Sequence, residues 1–156
     1  MKKMMVVAGI FMLLVSVVGT PRVSAQEMTA DQAKVIELTG DAMMMKAGTQ
    51  EWTPITLGSV LTEGDAIKTL EGTKATLELT GSAKTAEVLV HENTEMKFET
   101  FQNTSDSKLD KTLLGVDKGG ILVKAEKLIG DSKFEVKTPT SIVGIRGTTF
   151  EVQVSD

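Results

Sequence analysis

The chain offers one histidine, His91, no cysteine, and abundant carboxylates. Nucleophilic catalysis needs a base held beside a serine, threonine or cysteine, and with no thiol and no Gly-x-Ser-x-Gly elbow the inventory is thin. His91 follows Val88-Leu89-Val90 at the start of a turn and reads as a solvated loop histidine. A zinc or other transition-metal site would need histidine or cysteine partners that the sequence lacks. Glu95 and Glu99 fall on one face of a candidate strand, where paired carboxylates are ordinarily solvated surface. Asp65 follows Gly64 and is expected to fix a turn by bonding nearby backbone. Met43, Met44 and Met45 suggest a soft-metal site, but adjacent strand residues point to opposite faces, which favours adaptable packing. These residues together predict no catalytic residue, no metal site and no cofactor.

Arg146 is the remaining candidate. It lies in SIVGIRGTTFEV, Ser141 to Val152, inside an apolar run between Gly144 and Gly147. If this segment runs as one strand, the glycines allow a bulge or a close approach of neighbouring backbone. The guanidinium then holds carbonyls or a carboxylate in a fork geometry that lysine does not reproduce. A structural lock is the preferred reading and an interface hot spot the other. On the first, Arg146→Lys is expected to cost about 1–3 kcal/mol, read as a shift of the unfolding midpoint.

The elements that must position these residues begin after a distinctive N-terminus. Lys2 and Lys3 precede an uncharged apolar stretch from Met4 to Val18, then Pro21 and Val23-Ser24-Ala25. This reads as a secretory signal peptide over residues 1–25, cleaved between Ala25 and Gln26. Fifteen apolar residues fall short of the roughly 20 that a spanning helix needs, so no membrane span is expected after cleavage. Removing Lys2, Lys3 and Arg22 leaves fourteen basic residues against twenty-one acidic ones, a net charge of −7. Nucleic acid is thereby a poor partner, as is an anionic bilayer. The location expected is the periplasm or the extracellular space.

Residues 26–34 form a short lead-in, and residues 35–154 read as one β domain. Short alternating runs separated by glycines recur about every ten residues. Ala75, Leu77 and Leu79 share a face, as do Phe134 and Val136; Met96 and Phe98 share another, with Phe101 breaking the alternation at a bend. Gln102 to Asp110 reads as a long polar surface loop. The expected fold is all-β, an antiparallel sandwich or roll of about ten short strands, with a right-handed β-helix as the alternative.

From Trp52 onward the sequence resembles the FecR-like domain. The matching residues are Trp52, Leu57-Gly58, Leu61, Gly64-Asp65 with Ile67 and Thr69, Gly81-Ser82 and Gly119-Gly120. They end in Phe134 to Pro139 leading into Val143-Gly144-Ile145-Arg146-Gly147-Thr148-Thr149-Phe150. The pairing Thr138-Pro139 followed by Gly144, Arg146, Gly147, Thr148 and Phe150 is the specific part, and the similarity spans about residues 35–154. The resemblance implies a non-enzymatic envelope module whose partner is another envelope protein or a cell-wall component. A transmembrane signalling component related to sigma-factor regulators, without their cytoplasmic domain, is the alternative it leaves open.

Overall fold

The structure, a computed structural model, describes residues 32–80, 84–104, 109–128, 131–145, 147 and 149–155. Twelve strands follow one another: β1 (Gln32–Thr39), β2 (Ala42–Met45), β3 (Trp52–Pro54), β4 (Val60–Leu61), β5 (Ala66–Thr69), β6 (Lys74–Thr80), β7 (Lys84–Val90), β8 (Glu95–Thr104), β9 (Leu109–Ala125), β10 (Lys133–Lys137), β11 (Ile142–Ile145) and β12 (Thr149–Val154). The all-β expectation holds, with two more strands than anticipated. Among the described residues the pairings are antiparallel except β10 with β9, which runs parallel. A β-helix, built from parallel coils, is thereby set aside.

The seventeen-residue β9 is the spine. Its first half pairs with β8 and β10, and its second half with β7 and β12. The sheet therefore curls back on itself, with β3-β2-β5-β8 running out from one half of β9 and β7-β6-β1-β4 from the other. The turn from one half to the other occurs at Gly119, whose φ of +80° suits only glycine and where a Cβ would sit 2.6 Å from the Asn93 carbonyl oxygen. The Gly119-Gly120 pair thus bends a continuous strand rather than separating two.

Between the two halves lies an apolar core. Val35, Leu77, Leu79, Val88, Val90, Ile121 and Val123 fill it from one side; Ile67, Met96, Phe98, Leu114, Phe134 and Val136 fill it from the other. The alternation seen at Ala75, Leu77 and Leu79 and at Phe134 and Val136 faces inward as expected. Phe101 is also inward: the β8–β9 register shifts between Phe98 and Thr100, so one inserted residue reverses the parity of the rest of β8. The Phe98 and Phe101 rings then pack with centroids 5.7 Å apart.

Two segmental expectations are corrected. Within Gln102 to Asp110, the described residues are strand rather than loop, with Gln102 opposite Lys111, Asn103 opposite Asp110 and Thr104 opposite Leu109. Ser141 to Val152 is two strands rather than one, since β11 pairs with β10 whereas β12 pairs with β9. The N-terminal segment, including Ala25 and Gln26, lies outside the described residues.

Candidate functional site

The Gly64-Asp65 step lies just before β5. Asp65, Ile67 and Thr69 alternate toward the interior, so the strand buries one apolar residue between two polar ones. At one rim Asp65 is 1% exposed, and its carboxylate accepts hydrogen bonds from the Thr62 amide at 2.9 Å, the Ala47 amide at 2.9 Å and Lys46 Nζ at 2.7 Å. Burial pushes this carboxyl up, but the Lys46 hydrogen bond, the Thr62 and Ala47 amides and the Lys46 charge together outweigh it and hold it below its ordinary value. The main chain adds Asp65 N–H donating to Thr62 O at 3.1 Å and Gly64 N–H to Phe98 O at 2.7 Å. Asp65 is therefore an anion whose oxygens are occupied by backbone and Lys46. It ties β2, the β4–β5 turn and β8 together, and the turn-fixing expectation holds with a wider reach.

Thr69 does the corresponding work at the other rim. Its hydroxyl donates to His91 O at 2.5 Å and accepts from the Thr94 amide at 3.0 Å. The Thr94 hydroxyl in turn accepts from the Gly120 amide at 2.9 Å. His91 differs from its expectation: it is half-buried, its Nε2 is shielded from solvent without a hydrogen-bond partner, and that atom lies 3.6 Å from Glu151 Oε1. Burial follows from β12 packing alongside, which the sequence does not reveal. Met44 packs on the core, while Met43 and Met45 take the opposite face of β2 and stay half-exposed, so only part of the methionine run serves packing. Glu99 pairs with Lys137 at 3.1 Å instead of standing free in solvent. Among the described residues no group of three or more metal-binding side chains is assembled.

The C-terminal motif divides between the two halves of the sheet. Thr138, Pro139 and Ser141 form the β10–β11 turn, where the Thr138 amide donates to Ser141 O at 2.8 Å and the Ser141 amide donates to Thr138 Oγ1 at 3.1 Å. Gly144 lies opposite Glu135 with open space where a Cβ would stand. Gly147 marks the crossing to the other half: its φ is +68°, and a Cβ there would lie 2.8 Å from Lys127 Cα. Phe150, opposite Val123, packs half-buried against the core. Arg146 and Thr148 lie outside the described residues, as do Gly81 and Ser82.

Asp65 and the motif are thus not gathered into one pocket: Asp65 bonds residues 46, 47 and 62, whereas the described motif residues run from the β10–β11 turn through β11 to β12, strands that pair with β10 and β9. What the motif does present is an edge. Among the described residues β11 pairs on one side only, and it carries Ile142 at 64% and Val143 at 40% exposure. The sequence places these apolar residues in a strand but carries no mark that they stand open. No helix among the described residues is long and apolar enough to cross a membrane. A family model described as FecR protein matches residues 65–156. No curated protein and no solved structure gives a match.

Proposed function

The chain belongs to the FecR family, and from that premise we propose that it is an exported, non-enzymatic contact module of the cell envelope. It acts in the periplasm or outside the cell after removal of residues 1–25, by binding another envelope protein. The observation that carries this reading is β11, which lies inside the family-matched region and exposes Ile142 and Val143 on a strand bonded along one edge. An uncovered edge with apolar side chains is a ready template for another chain. The strands ahead of the match serve the same framework, since β1 pairs with β6 and β2 with β5.

The test is cell fractionation with intact-mass measurement, followed by in-cell cross-linking and identification of the captured proteins. The expected result is a chain beginning at Gln26, recovered outside the cytoplasm and cross-linked to a specific envelope protein. A chain retaining residues 1–25 in the cytoplasm, or a processed chain that captures nothing specific, would contradict the proposal.

A further inference from the structure

The strand registers assemble two continuous rows on the outer face of the β3-β2-β5-β8-β9-β10-β11 half. One row runs Pro54, Met43, Lys68, Glu95, Lys118. The other runs Trp52, Met45, Ala66, Lys97, Gly115, Lys137, Ile142 and so ends on the exposed β11 residue. Directly paired residues point to the same side of a sheet, so these side chains share one surface. Its apolar end holds Trp52, Met43 and Met45, all half-exposed, with Lys68 Nζ 5.9 Å from the Trp52 ring centroid.

The charge on this face runs against that of the molecule. Lys68, Lys97, Lys118 and Lys137 are all exposed. Lys111 and Lys133, opposite each other on β9 and β10, extend the set. Against these six stand Glu95, Glu99 and Glu135, and Glu99 is already engaged by Lys137 while lying over Gly115, where a Cβ would approach its Oε1 to 2.8 Å. The face is therefore net positive in a chain whose formal charge is −4. On the opposite half the outer row Lys34, Glu78, Glu87, Lys124 is balanced. A recess of about 160 Å³ opens at the end of the first row between Lys68, Leu70, Asn93 and Lys118, with Leu70 40% exposed at its edge.

We propose that this outer face docks an extended acidic segment of a partner protein, its carboxylates over Lys68 and Lys97 and its apolar side chains against Trp52, Met43, Met45 and Ile142. The inference rests on the reading of the chain as a contact module and supplies the chemistry of the partner. A peptide is favoured over an anionic bilayer because the two sense charge at different ranges. Salt limits each interaction to about 8 Å, so a narrow segment meets the local lysines alone. A charged plane also meets the acidic remainder of the molecule.

Trp52 is the chain's single tryptophan, so its emission reports on this face directly. The full chain, as the cell produces it, is titrated with a short peptide alternating aspartate with leucine and valine. Parallel titrations use the same peptide with lysine in place of aspartate, and vesicles of phosphatidylglycerol or phosphatidylcholine. The expected result is a saturable emission shift with the acidic peptide, weakened at least about tenfold by Lys68→Glu with Lys97→Glu and changed less than about twofold by Lys34→Glu with Lys124→Glu. Lys97→Gln, at an exposed position, serves in place of the double variant if that one fails to fold, with a weakening of at least about threefold. Equal response to the two peptides, no response to the acidic one, or binding only to phosphatidylglycerol vesicles would overturn the proposal. Loss of the peptide response with in-cell capture preserved removes this inference alone; loss of capture as well removes the contact-module reading.

Discussion

Replacing Asp65 by asparagine keeps the size of the side chain but removes the charge and turns one acceptor oxygen into a donor. The carboxylate receives three donors within 3.0 Å, two of them backbone amides, and it is 1% exposed. Either orientation of the asparagine amide leaves at least one amide facing an NH₂ group. An unsatisfied buried donor costs about 1–3 kcal/mol, and the lost charge-assisted bond from Lys46 adds to it, giving about 2–4 kcal/mol. At about 3 °C per kcal/mol for a domain of this size, the melting temperature is expected to fall by roughly 6–12 °C. The pH dependence has a fixed sign. The folded-state pKa of Asp65 is lowered, so the stabilisation from its charge is complete above the unfolded-state pKa and is lost as pH falls through the folded value. The gap between wild type and Asp65→Asn is therefore expected to stay constant from pH 7 down to about 4 and to narrow only below that. Urea denaturation at several pH values measures both effects. A difference below about 0.5 kcal/mol at pH 7, or one that widens in acid, would refute the reasoning.

Three further outcomes are expected from the packing. Phe101→Ala should cost about 3–5 kcal/mol in chemical denaturation, because the β8 register shift places the ring in the core; a cost near that of a surface change would disprove that placement. Gly147→Ala should lose about 2 kcal/mol or more, since positive φ and the approach of Lys127 Cα act together, and an unchanged urea midpoint would contradict this. Ile142→Asp should leave the melting temperature within about 1 °C, as expected of an exposed side chain, while reducing in-cell capture of a partner. A large loss of stability there would mean that β11 belongs to the core and not to the contact surface.

The sequence disclosed the features that depend on local pattern. The alternation at Ala75 to Leu79 and at Phe134 to Val136 showed both strands and their buried faces. Asp65 was legible because aspartate after glycine has a short-range role, but Lys46 and Ala47, eighteen or more residues away, carry no local mark of their involvement. The course of β9 was hidden for a physical reason: Asp117-Lys118-Gly119-Gly120 has the composition of a turn, yet the strand passes through it while changing sides. Gln102 to Asp110 was read as a loop because its sequence is polar, yet Gln102 to Thr104 pair with Leu109 to Lys111 through register that composition does not mark. The rows ending at Lys118 and Ile142 exist only through register, which brings together residues from five or more strands. Composition alone reports that the molecule is acidic and conceals that one face is not.

The most direct test of the account is site-resolved photo-cross-linking in the cell. A photoreactive residue is placed in turn at Ile142 and Met45, on the proposed contact face, and at Lys34, on the outer face of the opposite half. Positions 142 and 45 are expected to capture the same envelope protein, through an acidic segment, and position 34 is expected not to. Capture from position 34 alone, or different proteins from 142 and 45, would contradict it.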